Sequence, residues 1–336
     1  MYTEESFCNV ILKTTYTKAL DAIQEKHYKD FTIPKKNGYR TIYYLDSTSS
    51  LALLQKNLTK NLLAKQPLPI CIKGFQKGEN YNTFLQPHIG AKFFLRIDIK
   101  NFFPSLTKQV VKDSLLELVG KSIISGVSKI VDLLYEIVTL HEKIPQGAYS
   151  SPALSNLIMS TLDQRITKYC QVFNIRYTRY ADDLLFSSYS FDFYNMKWFT
   201  KKIKYILSTK KLKLNYSKLK YAKTTLVLNG YVISNQGIHL SRNRLYDIRH
   251  ITTFVNNNYT PEKVALFIKE INKINLKHRN LELYPFKSLF QISQYLCGYR
   301  AFLISMLDDD FADTKHQKNM RKLIHKIEKQ ILRINT

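Results

Sequence analysis

The spacing of apolar positions changes several times along the chain, and each change predicts an element. Phe93 to Ile99 is a short apolar run, the pattern of a buried strand. From Val110 to Leu140 apolar residues recur at helical spacing, with Leu115, Leu118 and Val119, then Ile130, Leu133, Leu134 and Ile137. Ser150 to Tyr169 predicts another helix: Ser-Ser-Pro is a good start, and Leu154, Leu157, Ile158, Leu162 and Ile166 follow at the right intervals. Ile175 to Tyr180 and Leu184 to Ser187 read as two short strands of a hairpin around Ala181-Asp182-Asp183. A basic helix over Lys197 to Ser208 and short strands around Leu226 to Ile233 come next. The remainder is mostly helical, and the last helix, Gln317 to Arg333, carries a stripe of Leu323, Ile327 and Ile331 with bases elsewhere. Ahead of all this, residues 1–92 mix short helical and extended pieces. Pro34 to Arg40 has the composition of a hairpin tip, followed by the β-prone Thr41-Ile42-Tyr43-Tyr44, and Gly74 to Gly78 is a basic glycine turn.

Composition narrows the class of protein. Hydrophobic residues make up 45% of the 336, which is enough to bury a large core and excludes a mainly disordered chain. The formal charge of +25 implies a polyanionic partner, either nucleic acid or an acidic membrane surface. No apolar run approaches the roughly 20 residues needed to span a bilayer. The first ten residues carry acids where a signal peptide carries bases, so a cytoplasmic location is expected. Cys8, Cys71, Cys170 and Cys297 show no C-x-x-C spacing and read as reduced thiols rather than a zinc site or a disulfide framework.

The candidate chemistry lies in carboxylates. Asp98 sits inside an apolar strand, where a lone charge is costly unless a cation or hydrogen bonds satisfy it. Asp182 and Asp183 are adjacent at a tight turn between apolar strands. By themselves they could be a solvated turn. Converging with Asp98 they would repel one another, and two Mg²⁺ ions would turn the cluster into an oxygen-ligand site for phosphoryl transfer.

Three motifs, in order and at the right spacing, carry a family resemblance. Tyr180-Ala181-Asp182-Asp183 resembles the Y-x-D-D hairpin of reverse transcriptases, Asp98 with Phe103 five residues on resembles their first catalytic strand, and Pro145-Gln146-Gly147 resembles the segment under the incoming nucleotide. Arg176 to Leu184, Gln146 to Ile158, and Lys73 to Gly78 ahead of Pro87 to Lys92 are similar to the bacterial retron and group-II-intron-like branch. The resemblance implies an α+β right hand: fingers over 1–92 with 111–149, a palm of antiparallel sheet over 93–110 and 150–240, and a basic helical thumb over 241–336. It also implies RNA-directed DNA synthesis from dNTPs. Asp98, Asp182 and Asp183, with the Ile99 backbone, would hold two Mg²⁺ ions. Phe103 would exclude a 2′-OH by clash, its other reading being plain core. Gln146, Gly147, Arg40 and Lys77 would meet the nucleotide, although a loop turn or solvated charge would serve equally. Lys218, in Leu214-Asn215-Tyr216-Ser217-Lys218, would lie near the triphosphate and could protonate the leaving group. Leu228-Asn229-Gly230 would grip the primer, and Lys322, Lys326 and Lys329 on the last helix would face RNA phosphates.

A structured non-coding RNA as template or primer, an RNA–DNA hybrid as product, and an effector or accessory defence protein are the expected partners, with no membrane. Two departures matter. The stretch Phe84 to His88 keeps only the His of the N-A-x-x-H motif common in retron enzymes, and Leu228-Asn229-Gly230 stands where they carry V-T-G. Both motifs go with the retron's own RNA and its branched product, so that product stays open and a related defence-associated enzyme is admitted. His88 itself is either structural or in contact with RNA. Two other classes remain in view. An RNA-dependent RNA polymerase is opposed by Ala181 and Phe103, and a catalytically idle RNA-binding scaffold by the intact aspartates. Asp308-Asp309-Asp310 reads as a solvated helix terminus.

Overall fold

In a computed structural model of the chain, the residues described are 1–35, 38–307 and 315–335. Lys36 and Asn37 at the first hairpin tip, and Asp308-Asp309-Asp310, lie outside them. The chain divides into two units, Met1–Lys223 and Thr224–Thr336.

The first unit is organised by a four-stranded antiparallel sheet. Its strands are β3 (Phe93–Asp98), β4 (Arg176–Tyr180), β5 (Asp183–Ser188) and β6 (Lys220–Lys223), in the order β4-β5-β3-β6. A separate ribbon pairs β1 (Lys29–Lys35) with β2 (Gly38–Tyr44). Strand alternation sorts the sheet into two faces. On one, Leu95 lies opposite Phe186 and Ile97 opposite Leu184. This face joins the main core with Ile158 and Ile166 of the helix Ser151–Val172 and Phe199 and Ile203 of the helix Lys197–Ser208. Phe186 stacks on Tyr177 at 4.9 Å and meets Phe199 edge-on at 5.3 Å. The other face carries Asp98 opposite Asp183 and Arg96 opposite Leu185. Hydrophobic burial therefore anchors one side of the sheet, while the other carries charge at the Asp98 end beside the buried Phe94 and Leu185.

Helical spacing between Val110 and Leu140 resolves into two helices, Lys108–Val119 and Val127–Val138, rather than one. Gly120 closes the first, and Gly126 opens the second with φ +74°. The apolar period survives such a break because both helices face the same core, so spacing alone does not reveal it. Elsewhere the expected elements appear within a few residues of their predicted ends.

His88 is structural. It is fully buried, with Nδ1 2.7 Å from Ser187 Oγ and Nε2 2.8 Å from Thr178 Oγ1, so no RNA reaches it. Burial first, and the Arg176 charge second, hold its pKa down at about 3. The unfolded chain titrates this group near the ordinary value and the folded chain much lower, so folding stability falls as pH drops below about 6.5 and keeps falling toward 3. In urea titrations, the loss of stability per pH unit between 6.5 and 4 is expected to be smaller in His88→Gln than in wild type by about 1.4 kcal/mol. Equal slopes would show that His88 is not held neutral.

The second unit starts with a meander of β7 (Leu226–Leu228), β8 (Tyr231–Ser234) and β9 (Gly237–Leu240). Asn229 and Gly230 both take positive φ, as a two-residue hairpin turn requires. The hairpin packs on the helices that follow: Tyr231 lies edge-on against Phe302 at 4.9 Å, and the Gly230 carbonyl accepts from the Ser241 amide at 2.9 Å. The last helix, Lys315–Asn335, buries Leu323 and Ile327 and exposes Lys322, Lys326 and Lys329. Arg333 caps another helix, donating to the carbonyls of Asn256 and Tyr259. All four cysteines are free, and burial pushes the Cys8 and Cys71 thiols up to about 11.

Candidate active site

The register of β3 against β5 makes Asp98 and Asp183 cross-strand neighbours, and the Ile99 amide donates to the Asp182 carbonyl at 3.0 Å. The three aspartates and Ile99 thus meet at one end of the sheet. Each acid has company. Lys218 Nζ donates to Asp98 Oδ1 at 2.8 Å, and Asn215 Nδ2 to Asp98 Oδ2 at 2.9 Å. The Asn215 amide also binds the Asp98 carbonyl at 2.8 Å, which fixes the Lys218 turn to the strand. Arg96 Nε and Nη2 both donate to Asp183 Oδ1, at 2.8 and 2.6 Å.

Crowding shows in the acidities. Burial raises the pKa of Asp182, and the Asp98 charge raises it further against the pull of Lys218 and Arg40. Burial lifts Asp183 to about 6, with Arg96 opposing and the other two aspartates adding to the rise. Such a set of desolvated, mutually repelling carboxylate oxygens suits hard divalent cations. Among the described residues, however, no three acid, His or Cys groups are already grouped around one metal position. Arg96 draws Asp183 aside and Lys218 draws Asp98.

The catalytic turn is strained and clamped. Ala181 has φ +54°, a conformation that costs a non-glycine residue about 1–3 kcal/mol. Arg179 Nη1 donates to the Ala181 carbonyl at 2.9 Å. The same guanidinium, fully buried, binds both oxygens of Asp163 at 2.9–3.0 Å and Asn156 Oδ1 at 3.2 Å. Tyr177 adds a hydroxyl to Asp163 at 2.7 Å. Asn156 and Asp163 lie two turns apart on one face of the helix Ser151–Val172. Asn156 Nδ2 in turn holds the Gly74 carbonyl at 2.8 Å. A Cβ at Gly74 would sit 2.6 Å from the Ala181 nitrogen, so only glycine lets this loop touch the turn.

The other expected residues are placed as follows. Phe102 is core, while Phe103 is half-buried, packing on Phe102 at 5.3 Å and Phe75 at 6.5 Å. Arg40, exposed on β2, is near enough to act on the Asp182 charge. The Gln146 carbonyl accepts from the Tyr43 amide at 2.7 Å. Gly147, at φ +111°, lies close against β2: a Cβ there would meet the Tyr43 carbonyl at 2.4 Å. Lys77 is exposed in its glycine turn. Leu228, Asn229 and Gly230 and the three lysines of the last helix belong to the second unit.

Arg96, Asn215, Arg179, Asp163 and Asn156 were not anticipated as site residues. Arg96 had a signal, since it lies two residues before Asp98 and so shares its face. Arg179 and Asp163 had only a weak one, a charge within an apolar strand and another on an apolar helix face.

Residues 33–233 match the family model described as reverse transcriptase (RNA-dependent DNA polymerase). The chain belongs to the reverse transcriptase family. This reverse transcriptase is 35% identical over 230 residues to the Escherichia coli retron Ec86 reverse transcriptase, covering 66% of its own chain and 68% of the relative. It is 30% identical over 174 residues to the Myxococcus xanthus retron Mx65 reverse transcriptase, covering 48% of its chain and 40% of that longer protein. Among solved structures, a Candida albicans telomerase aligns with 93% of this chain and 64% of its own, at 13% identity and a TM-score of 0.46. The enzyme is therefore a retron-type RNA-directed DNA polymerase with the α+β right-hand polymerase fold. No helix among its described residues is long and apolar enough to cross a membrane.

Proposed function

We propose that this reverse transcriptase copies a structured non-coding RNA into DNA from dNTPs at Asp98, Asp182 and Asp183, in the cytoplasm of a bacterium. The observation that carries the reading is the β3–β5 register, which gathers the three acids at one sheet end beside the half-buried Phe103. Two Mg²⁺ ions held by Asp98, Asp182, Asp183 and the Ile99 carbonyl would supply activation of the primer 3′-OH and neutralisation of the departing pyrophosphate. The chain's own groups do the rest. Arg96 and Asn215 hold the acids in orientation. Lys218, half exposed beside Asp98, would give a proton to the leaving group. Arg40 and Lys77 offer charge to phosphates, Gln146 and Gly147 line the nucleotide's path, and Phe103 closes the space a 2′-OH would need.

The reading extends to the domains. Fingers would span 1–92 with 111–149, the palm 93–110 and 150–240, and the thumb 241–336, with Leu228-Asn229-Gly230 gripping the primer. The exposed Lys322, Lys326 and Lys329 and the overall charge of +25 support a backbone grip on a structured RNA and its RNA–DNA hybrid. A bacterial retron or anti-phage defence system, with an effector or accessory protein, is the expected setting. Four free thiols agree with a reducing compartment.

The test is extension of a DNA primer on an RNA template with Mg²⁺, comparing dNTPs with rNTPs in wild type and Phe103→Ala. Wild type should use dNTPs. Removing the ring should raise rNTP use relative to dNTP by about tenfold or more while synthesis continues, because the discrimination is a clash. An unchanged ratio in an active variant would return Phe103 to the core. Absence of RNA-templated extension in wild type would overturn the activity itself.

A further inference from the structure

One basic element is left unused by the chemistry. Between Lys197 and Lys213 the chain carries seven lysines and no acid. The helix Lys197–Ser208 buries Phe199, Ile203, Ile206 and Leu207 and turns outward Lys197, Trp198, Lys201, Lys202, Lys204 and Tyr205. Among the described residues none of its four lysines has a carboxylate partner. Three of them lie over rings instead: Lys197 5.7 Å from the Tyr194 centroid, Lys202 5.4 Å from Tyr205, and Lys204 5.9 Å from Tyr216. Those rings are open to solvent, Tyr205 at 60% and Tyr194 at 58%.

The place of this helix decides what it can touch. It packs through Phe199 on Phe186, and Phe186 projects from the sheet face opposite the one that carries Asp98 and Asp183. A strand lying along its outer surface is therefore not the hybrid at the carboxylates. We infer that the outer face of the helix Lys197–Ser208 is a second nucleic-acid site, which holds a single strand behind the sheet while the hybrid occupies the catalytic face.

Charge and shape select this occupant. Four unpaired ammonium groups interleaved with exposed rings provide phosphate contacts and stacking platforms together, as single strands require. A duplex would leave the rings unused. An acidic membrane would need an aliphatic stripe to insert, and the apolar side of this helix is buried in the core. The site is argued from this helix and the flanking Tyr194 and Tyr216, without the lysines of the last helix. It rests on the polymerase reading only in that the ligand is a nucleic acid.

The full-length enzyme, first saturated with a blunt RNA–DNA hybrid, is titrated with labelled 12-nucleotide single strands, one of RNA and one of DNA. Wild type is expected to bind one further strand. A preference for RNA would identify the template or its flanks as the source, and a preference for DNA the product. Lys201→Gln/Lys202→Gln/Tyr205→Ser, checked by thermal melting, is expected to weaken that binding about tenfold or more and to lower the salt slope by about 1.4, for two lost phosphate contacts. If the variant does not fold, ultraviolet cross-linking of wild type decides: label on peptides within 194–216 supports the site. Three outcomes would overturn it: unchanged affinity in a folded variant, loss of single-strand binding once the hybrid is present, or label confined to other peptides. Phosphatidylserine vesicles bound through the same three residues would also overturn it. Wild-type primer extension, run on the same preparation, reports separately on the polymerase reading.

Discussion

Asp182→Asn is expected to lower primer extension on the order of a thousandfold or more while leaving RNA binding near wild type. The substitution keeps shape and removes charge. Asp182 is the acid of the three whose side chain is not drawn to Arg96 or Lys218, and its backbone carbonyl still accepts from Ile99. A loss of activity would therefore report the missing carboxylate and not a moved strand. Asp46→Asn, at an exposed acid paired with Lys29, is the matched control and should be nearly silent. Single-turnover extension with saturating hybrid is the measurement, and activity within a few-fold of wild type would remove Asp182 from the catalytic set.

The second large effect is expected at Arg179. Arg179→Met leaves Asp163 as an uncompensated charge at a fully buried position, which should cost about 3–5 kcal/mol of folding stability. Replacing both, as Arg179→Met with Asp163→Leu, removes the charge imbalance and should restore most of that stability. Activity should not return with it. The Ala181 carbonyl would still lack its donor, and the strained turn that carries Asp182 and Asp183 would be free to relax. Chemical denaturation and primer extension on the two variants separate these effects. Recovery of activity in the double variant would show that Arg179 serves folding alone.

Much of the sheet and its acids was legible in the sequence because hydrophobic period and motif spacing are local properties. Asp98, Asp182 and Asp183 stand out as charges among apolar strand residues. What was not legible depends on partners distant in sequence. Arg179 and Asp163 become a pair only when β4 lies on the helix Ser151–Val172, and nothing in either segment names the other. Gly147 shows the same limit: a glycine that admits close approach does not say what approaches, and the closeness of β2 to it is seen only in the folded chain. The break at Gly120–Gly126 was hidden because two helices on one core share one apolar period. The pairing of Lys218 with Asp98 likewise joins residues far apart in the sequence.

The parallel bridge between residues 71–73 and β4 has a consequence for motion. Arg179 donates its amide to Cys71, Lys73 donates its own to Arg179, and Gly74 then lies against the catalytic turn. The base of the 74–78 loop and the turn bearing the acids are therefore tied together by backbone hydrogen bonds and should move as one piece. They cannot act as the two jaws of a clamp that shuts on each incoming nucleotide. Opening and shutting, turn after turn of the cycle, has to be carried by pieces with looser anchorage, and the timing of catalysis should follow those pieces while the acids keep still.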